Sequence, residues 1–132
     1  MFRSGQRFQT AFFVTVLLLS PAPTFADEGA KVPEETAAQV RQAIESHVKK
    51  DIALKDSFLL IDPHTGKPMS LTFDHVHQGV KKVNGEYVAC VDFQREGQMY
   101  DVDFFVRQQD GEWEVSRLHV HKVDGKEVAQ SD

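Results

Sequence analysis

From Pro33 to Asp56 the apolar positions Ala37, Val40, Ile44 and Val48, with Ala43, recur at three- and four-residue steps. That spacing predicts one helix with a single apolar stripe, bordered by His47. Pro33 suits the first turn, Glu34 and Glu35 complement the positive helix end, and Lys49 and Lys50 complement the negative one. After the helix the period changes. Ser57 to Asp62 is a short apolar run, closed by the turn-rich segment Pro63 to Pro68. The rest reads as four strands, roughly 70–83, 86–95, 98–108 and 112–123. Asn84-Gly85 and Glu96-Gly97 suit two-residue hairpin turns, and Gln109-Asp110-Gly111 suits a three-residue loop. The expected fold is α+β: one helix packed on a curled antiparallel meander of four to five strands. It occupies 33–126, between a linker at 27–32 and a tail at 127–132.

Hairpin turns fix register, so each sheet face can be assigned. The first turn sets Val83 opposite Glu86, Gly79 opposite Cys90 and His77 opposite Asp92. The second sets Phe93 opposite Tyr100, Val91 opposite Val102 and Ala89 opposite Phe104, an apolar set that belongs on the helix. The three-residue loop would then set Val102 opposite Leu118, Tyr100 opposite Val120 and Phe104 opposite Ser116. By alternation the outer face carries one row of His77, Asp92, Asp101 and His119. A second row holds Gly79, Cys90, Asp103 and Arg117. Strict alternation would also place Leu71 and Phe73 on that outer face, so a bulge near Asp74 is needed to bury them.

Ahead of the domain, Arg3 and Arg7 precede an apolar run from Ala11 to Leu19, which ends at Ser20-Pro21. Thr24-Phe25-Ala26 puts small residues three and one positions before Asp27, as a signal peptidase requires. The first 26 residues therefore read as a cleaved signal peptide and the chain as exported, periplasmic or secreted. A run of nine apolar residues falls well short of the roughly 20 needed to span a bilayer, so no membrane insertion is expected of the mature chain. Removing 26 of the 132 residues leaves 106 and, with two arginines gone, takes the net charge from −5 to −7. Such an acidic chain lacks the clustered positive charge of a nucleic-acid binder. With one cysteine no internal disulfide forms, so the fold stands on its core. The Cys90 thiol is then either buried and inert, which is the expectation, or free to pair two copies into a homodimer.

The chemistry concentrates on the outer face. His75-Val76-His77 and His119-Val120-His121 are both His-x-His pairs, which set two imidazoles on one side of a strand. Imidazole with carboxylate is a transition-metal ligand set, suited to zinc, copper or nickel. Asp92 beside Asp101 is a like-charge pair that needs relief from protonated histidines, a divalent cation or a shared proton. The candidate ligands are His75, His77, Asp92, Asp101, His119 and His121. The outermost histidines of the row lie about 14 Å apart at ordinary strand spacing, too far to share one ion. The plain alternative is a solvated polar face laced with Asp–His and Asp–Arg contacts, with Arg107 and Arg117 at hand. His64 in its turn reads as exposed, and Trp113 as a cap on the core edge. Tyr100 with Asp101 and Asp103 would be the raw material of a proton-transfer site.

The element order is similar to that of cystatin-like and NTF2-like domains, folds that host many functions. Gln78-Gly79-Val80 echoes the inhibitory hairpin of cystatins, but Lys82 stands where that motif requires Gly, so a protease inhibitor is not expected. Across 58–126 the segments Asp62-Pro63, Val76-His77, Tyr87 to Phe93, Tyr100 to Phe105 and His121 to Lys126 resemble a group of small exported bacterial proteins of uncharacterised function. That resemblance implies location and fold class and carries no activity. The sequence thus points to an exported, non-enzymatic binding domain whose His/Asp face takes a divalent metal or an envelope protein. The alternatives are a small proton-transfer or hydrolytic enzyme with a sheet-lined pocket, and a pure protein–protein interaction domain.

Overall fold

The computed structural model describes residues 31–129. The signal peptide read at 1–26 lies outside the described residues. Among these described residues a single helix, α1 (Glu34–Lys55), precedes six strands: β1 (Phe58–Ile61), β2 (Pro68–Val83), β3 (Glu86–Arg95), β4 (Gln98–Gln109), β5 (Glu112–Val123) and β6 (Lys126–Glu127). They form one antiparallel sheet in sequence order. The α+β class is as expected, but the strand count is six, not four to five. Asp124-Gly125 makes a further hairpin turn, which folds Lys126 and Glu127 back onto β5. None of the described helical residues forms a span long and apolar enough to cross a membrane.

The helix follows the sequence pattern. Glu34 and Glu35 occupy its first turn, and Ala37, Val40, Ile44 and Val48 are its buried stripe. It stops at Asp56, whose backbone turns left-handed (φ 62°) while its N–H bonds the Ile52 carbonyl at 2.8 Å. The stripe packs against β1 to β5, so the sheet curls around it. Between them lies an aromatic stack. Phe58 and Phe93 are parallel with centroids 4.7 Å apart, and Phe104 sits 5.9 Å from Phe58 and 6.1 Å from Phe93.

All four tight hairpins place a non-glycine residue followed by glycine at positive φ: Asn84-Gly85, Glu96-Gly97, Asp110-Gly111 and Asp124-Gly125. Positive φ at both central positions marks the type I′ turn, whose twist matches that of the flanking strands. Asp110-Gly111 is therefore a two-residue turn with Gln109 opposite Glu112, correcting the three-residue loop.

The β3–β4 register is the expected one, including Phe93 opposite Tyr100 and Asp92 opposite Asp101. The β4–β5 register is not. Val102 faces Val120, Phe104 faces Leu118 and Tyr100 faces Val123. The shorter turn moves the pairing by one residue, and two β-bulges between Val106 and Phe105 and between Val102 and Asp101 each add another. On β2 the ladder holds from Val83–Glu86 to Val80–Ala89, then shifts before resuming at Val76–Val91. His75, not His77, is consequently the register partner of Asp92, and Gly79 is not paired with Cys90. A second shift between Phe73 and His75 is the irregularity that the burial of Leu71 demands at Asp74.

Candidate metal centre

Among the described residues, two clusters of metal-ligating groups lie on the face of the sheet turned away from the helix. In each, one donor atom per residue lies within 4.8 Å of every other. The first joins His75, His77 and Asp92; the second joins Cys90, Asp101, Asp103 and His121.

The first cluster is made by the irregular stretch of β2. His77, Gln78 and Gly79 interrupt the ladder between Val76 and Val80, which frees the Gln78 carbonyl from strand pairing. Arg41 reaches from the helix to bond that carbonyl through Nη1 at 2.9 Å, fixing the bulge from below. A bulge re-aims side chains. Here it brings His77 Nε2 to 2.9 Å from Asp92 Oδ1, although the two are not register partners. His75 Nε2 stands 3.8 Å from the other oxygen, Oδ2. The two imidazoles stack with centroids 5.2 Å apart and 13° between planes. Two Nε2 atoms thus converge on one carboxylate.

The opposite edge of His75 is held too. Its Nδ1 lies 2.6 Å from Asp74 Oδ2, and Gln94 donates to the other Asp74 oxygen at 3.4 Å. A carboxylate on the far nitrogen orients a ligating imidazole and sets which nitrogen faces the ion. The hydrogen bond that His75 donates to Asp74, aided by the charge of Asp92, raises the His75 pKa above its ordinary 6.5. A raised folded-state value contributes stability that is present below pH 6.5 and is lost as pH rises through it; for so exposed a group the gain is small. The metal-free protein should accordingly show a His75 NMR titration midpoint above 6.5 that falls toward it in Asp74→Asn. An unchanged midpoint would contradict this contact.

The second cluster spans three strands. Cys90 and Asp103 are cross-strand partners, and the Cys90 thiol donates to Asp103 Oδ1 at 2.9 Å. His121 is the extra residue of the bulge that sets Val120 opposite Val102 but Lys122 opposite Asp101. Its Nδ1 points inward, 3.6 Å from Asp103 Oδ2, while Nε2 lies 3.9 Å from Glu127 on β6. Two atoms here, Asp101 Oδ1 and His121 Nδ1, are buried without a hydrogen-bond partner. Burial, then the hydrogen bond to Asp103 and the charges of both aspartates, push the Cys90 pKa far up and keep the thiol protonated. Cys90 itself is half-buried rather than fully buried.

Five of the six expected ligands thus fall into the two clusters. His119 belongs to neither: it pairs in register with Asp103, not Asp101, and lines a separate groove with Leu60, Ile61 and Val128. The bulge between Phe105 and Val106 and the shorter turn are the cause of that pairing. Cys90 and Asp103, which share the second row of the face, are not among the expected ligands. Their cross-strand pairing is the sequence signal that points to them. Asp92 and Asp101 do stand side by side, and Lys122 faces Asp101 on its other flank. Tyr100 is buried in the core, so alternation separates its hydroxyl from Asp101 and removes that pair as a shared proton-transfer site. His64 is exposed and Trp113 packs at the core edge, its indole N–H donating to Gln39 at 3.1 Å. No family model, no curated protein and no solved structure matches this chain.

Proposed function

We propose that this chain is an exported, non-enzymatic binding domain that holds a divalent transition metal on its outer sheet face through His75, His77 and Asp92. The observation that carries this reading is the convergence of two histidine Nε2 atoms on the two oxygens of Asp92. Imidazole and carboxylate are the donors that zinc, copper and nickel accept, and three protein ligands leave a coordination position open. Asp74 already supplies the outer-shell carboxylate that such a site uses to orient its histidine. A cation there would also relieve the Asp92–Asp101 repulsion that the bare sheet carries. Export rests on the basic, apolar and small-residue sequence of the first 26 positions. Titration calorimetry with Zn²⁺, Cu²⁺ and Ni²⁺ tests the reading. At least one of them should bind at defined stoichiometry, and the His75→Ala, His77→Ala double variant should lose one bound equivalent while its circular dichroism stays unchanged. Binding unaffected by both substitutions would sink it.

A further inference from the structure

We infer that Cys90, Asp101, Asp103 and His121 form a second, thiolate-containing metal site beside the first, suited to Zn²⁺. The inference deepens the metal-binding reading but rests on different residues and a different donor. One sulfur, one imidazole and two carboxylates are four ligands, the number a closed zinc site takes. With bonds of roughly 2.0–2.3 Å, tetrahedral ligands sit about 3.3–3.8 Å from one another. Of the observed pairs, Asp103 to His121 Nδ1 at 3.6 Å falls inside that range and Cys90 Sγ to Asp103 at 2.9 Å lies short of it. Small side-chain rotations suffice.

Two further observations point inward. Asp101 Oδ1 and His121 Nδ1 are both buried without a hydrogen-bond partner, His121 Nδ1 having only its 3.6 Å ion-pair contact with Asp103, although Lys122 stands opposite Asp101 in register. Buried polar atoms without partners are uncommon, and both of these belong to the one cluster that contains the thiol. On the far side of the His121 ring, Glu127 on β6 lies 3.9 Å from Nε2, an ion-pair contact without the hydrogen bond that Asp74 makes to His75. A groove of about 440 Å³, lined by His77, Cys90, Asp103 and His121 among others, opens the cluster to solvent.

Charge supports a pair of ions. Asp92, Asp101 and Asp103 with a Cys90 thiolate carry four negative charges, which two divalent cations balance. Cys90 and Asp92 are two residues apart on β3, about 7 Å, so neighbouring ions are spaced by a strand repeat. Loading breaks the Cys90 S–H bond, forms a metal–sulfur bond and releases the proton to solvent. No electron changes hands.

Co²⁺ serves as a spectroscopic stand-in for Zn²⁺ in the test. The purified protein should take up an equivalent of Co²⁺ that produces a sulfur-to-cobalt charge-transfer band in the near ultraviolet. Saturating Zn²⁺ should slow the reaction of Cys90 with a thiol reagent at least tenfold. Cys90→Ser and His121→Ala should each remove the band, with His77→Ala leaving it in place; circular dichroism confirms that the variants fold. Absence of the band together with an unchanged thiol reaction rate overturns the second site. If a His77-dependent ion still binds in that case, the proposed function stands without it. A band that survives His121→Ala overturns the assignment of that ligand.

Discussion

Phe104→Ala is expected to lower the free energy of unfolding by about 3–5 kcal/mol. The ring is fully buried and joins Phe58 and Phe93 in the aromatic stack, with His47 of the helix edge-on at 6.3 Å. Its removal deletes apolar contacts with two strands and the helix, and the surrounding rigid sheet cannot collapse into the void. With no disulfide to limit the unfolded chain, that loss is a large share of a typical stability of about 5–15 kcal/mol. The neighbouring Phe105 provides the control. It lies on the outer face, half-buried, with the Arg117 guanidinium 3.4 Å above its ring. Phe105→Ala should cost only about 1–2 kcal/mol, from partial burial and one cation–π contact. Urea denaturation of the two variants gives the comparison directly. Equal costs would mean that the two faces of the sheet are misassigned.

Asp92→Asn should weaken the first metal site by more than about 100-fold, beyond what loss of an outer-shell partner costs, while leaving the fold intact. The change keeps the shape and removes the charge. It takes away the carboxylate on which both Nε2 atoms converge, and it also ends the repulsion from Asp101. At pH 8, where ordinary histidines are neutral, the metal-free variant should be as stable as the parent or more stable by about 0.2–1 kcal/mol. Lost affinity with retained stability separates a ligand from a structural residue. For the parent protein, affinity should fall as pH drops from 7.5 to 5.5, because protonated imidazoles cannot ligate. Asp92→Asn binding metal as tightly as the parent would remove Asp92 from the site.

The sequence carries the helix and the β3–β4 hairpin because both follow uninterrupted periodicities. Val40, Ile44 and Val48 mark the helix face, and Glu96-Gly97 sets a ladder that runs from Arg95–Gln98 to Tyr87–Val106 without a shift. The β4–β5 pairing escapes because bulges leave no mark in a period of two. Ser116 and His121 are inserted residues, and a polar side chain at either position is equally at home in a regular strand. The same blindness shaped the site. His75, His77 and Asp92 are legible as a group because the Asn84-Gly85 turn brings β2 and β3 together within a residue or two. The group around Cys90 is not, because only the bulge at His121 turns that imidazole toward Asp103. The Asp74 bulge is the exception: Leu71 and Phe73 could reach the core only if one existed there.

The most direct test of metal binding is native mass spectrometry of the purified protein with Zn²⁺, Cu²⁺ and Ni²⁺ added separately at stoichiometric amounts. At least one of these ions should be retained at defined stoichiometry by the parent protein, and the His77-dependent ion should be lost from His77→Ala and from Asp92→Asn. Retention of no ion by the parent, or of the same number by all three proteins, would contradict the metal-binding reading.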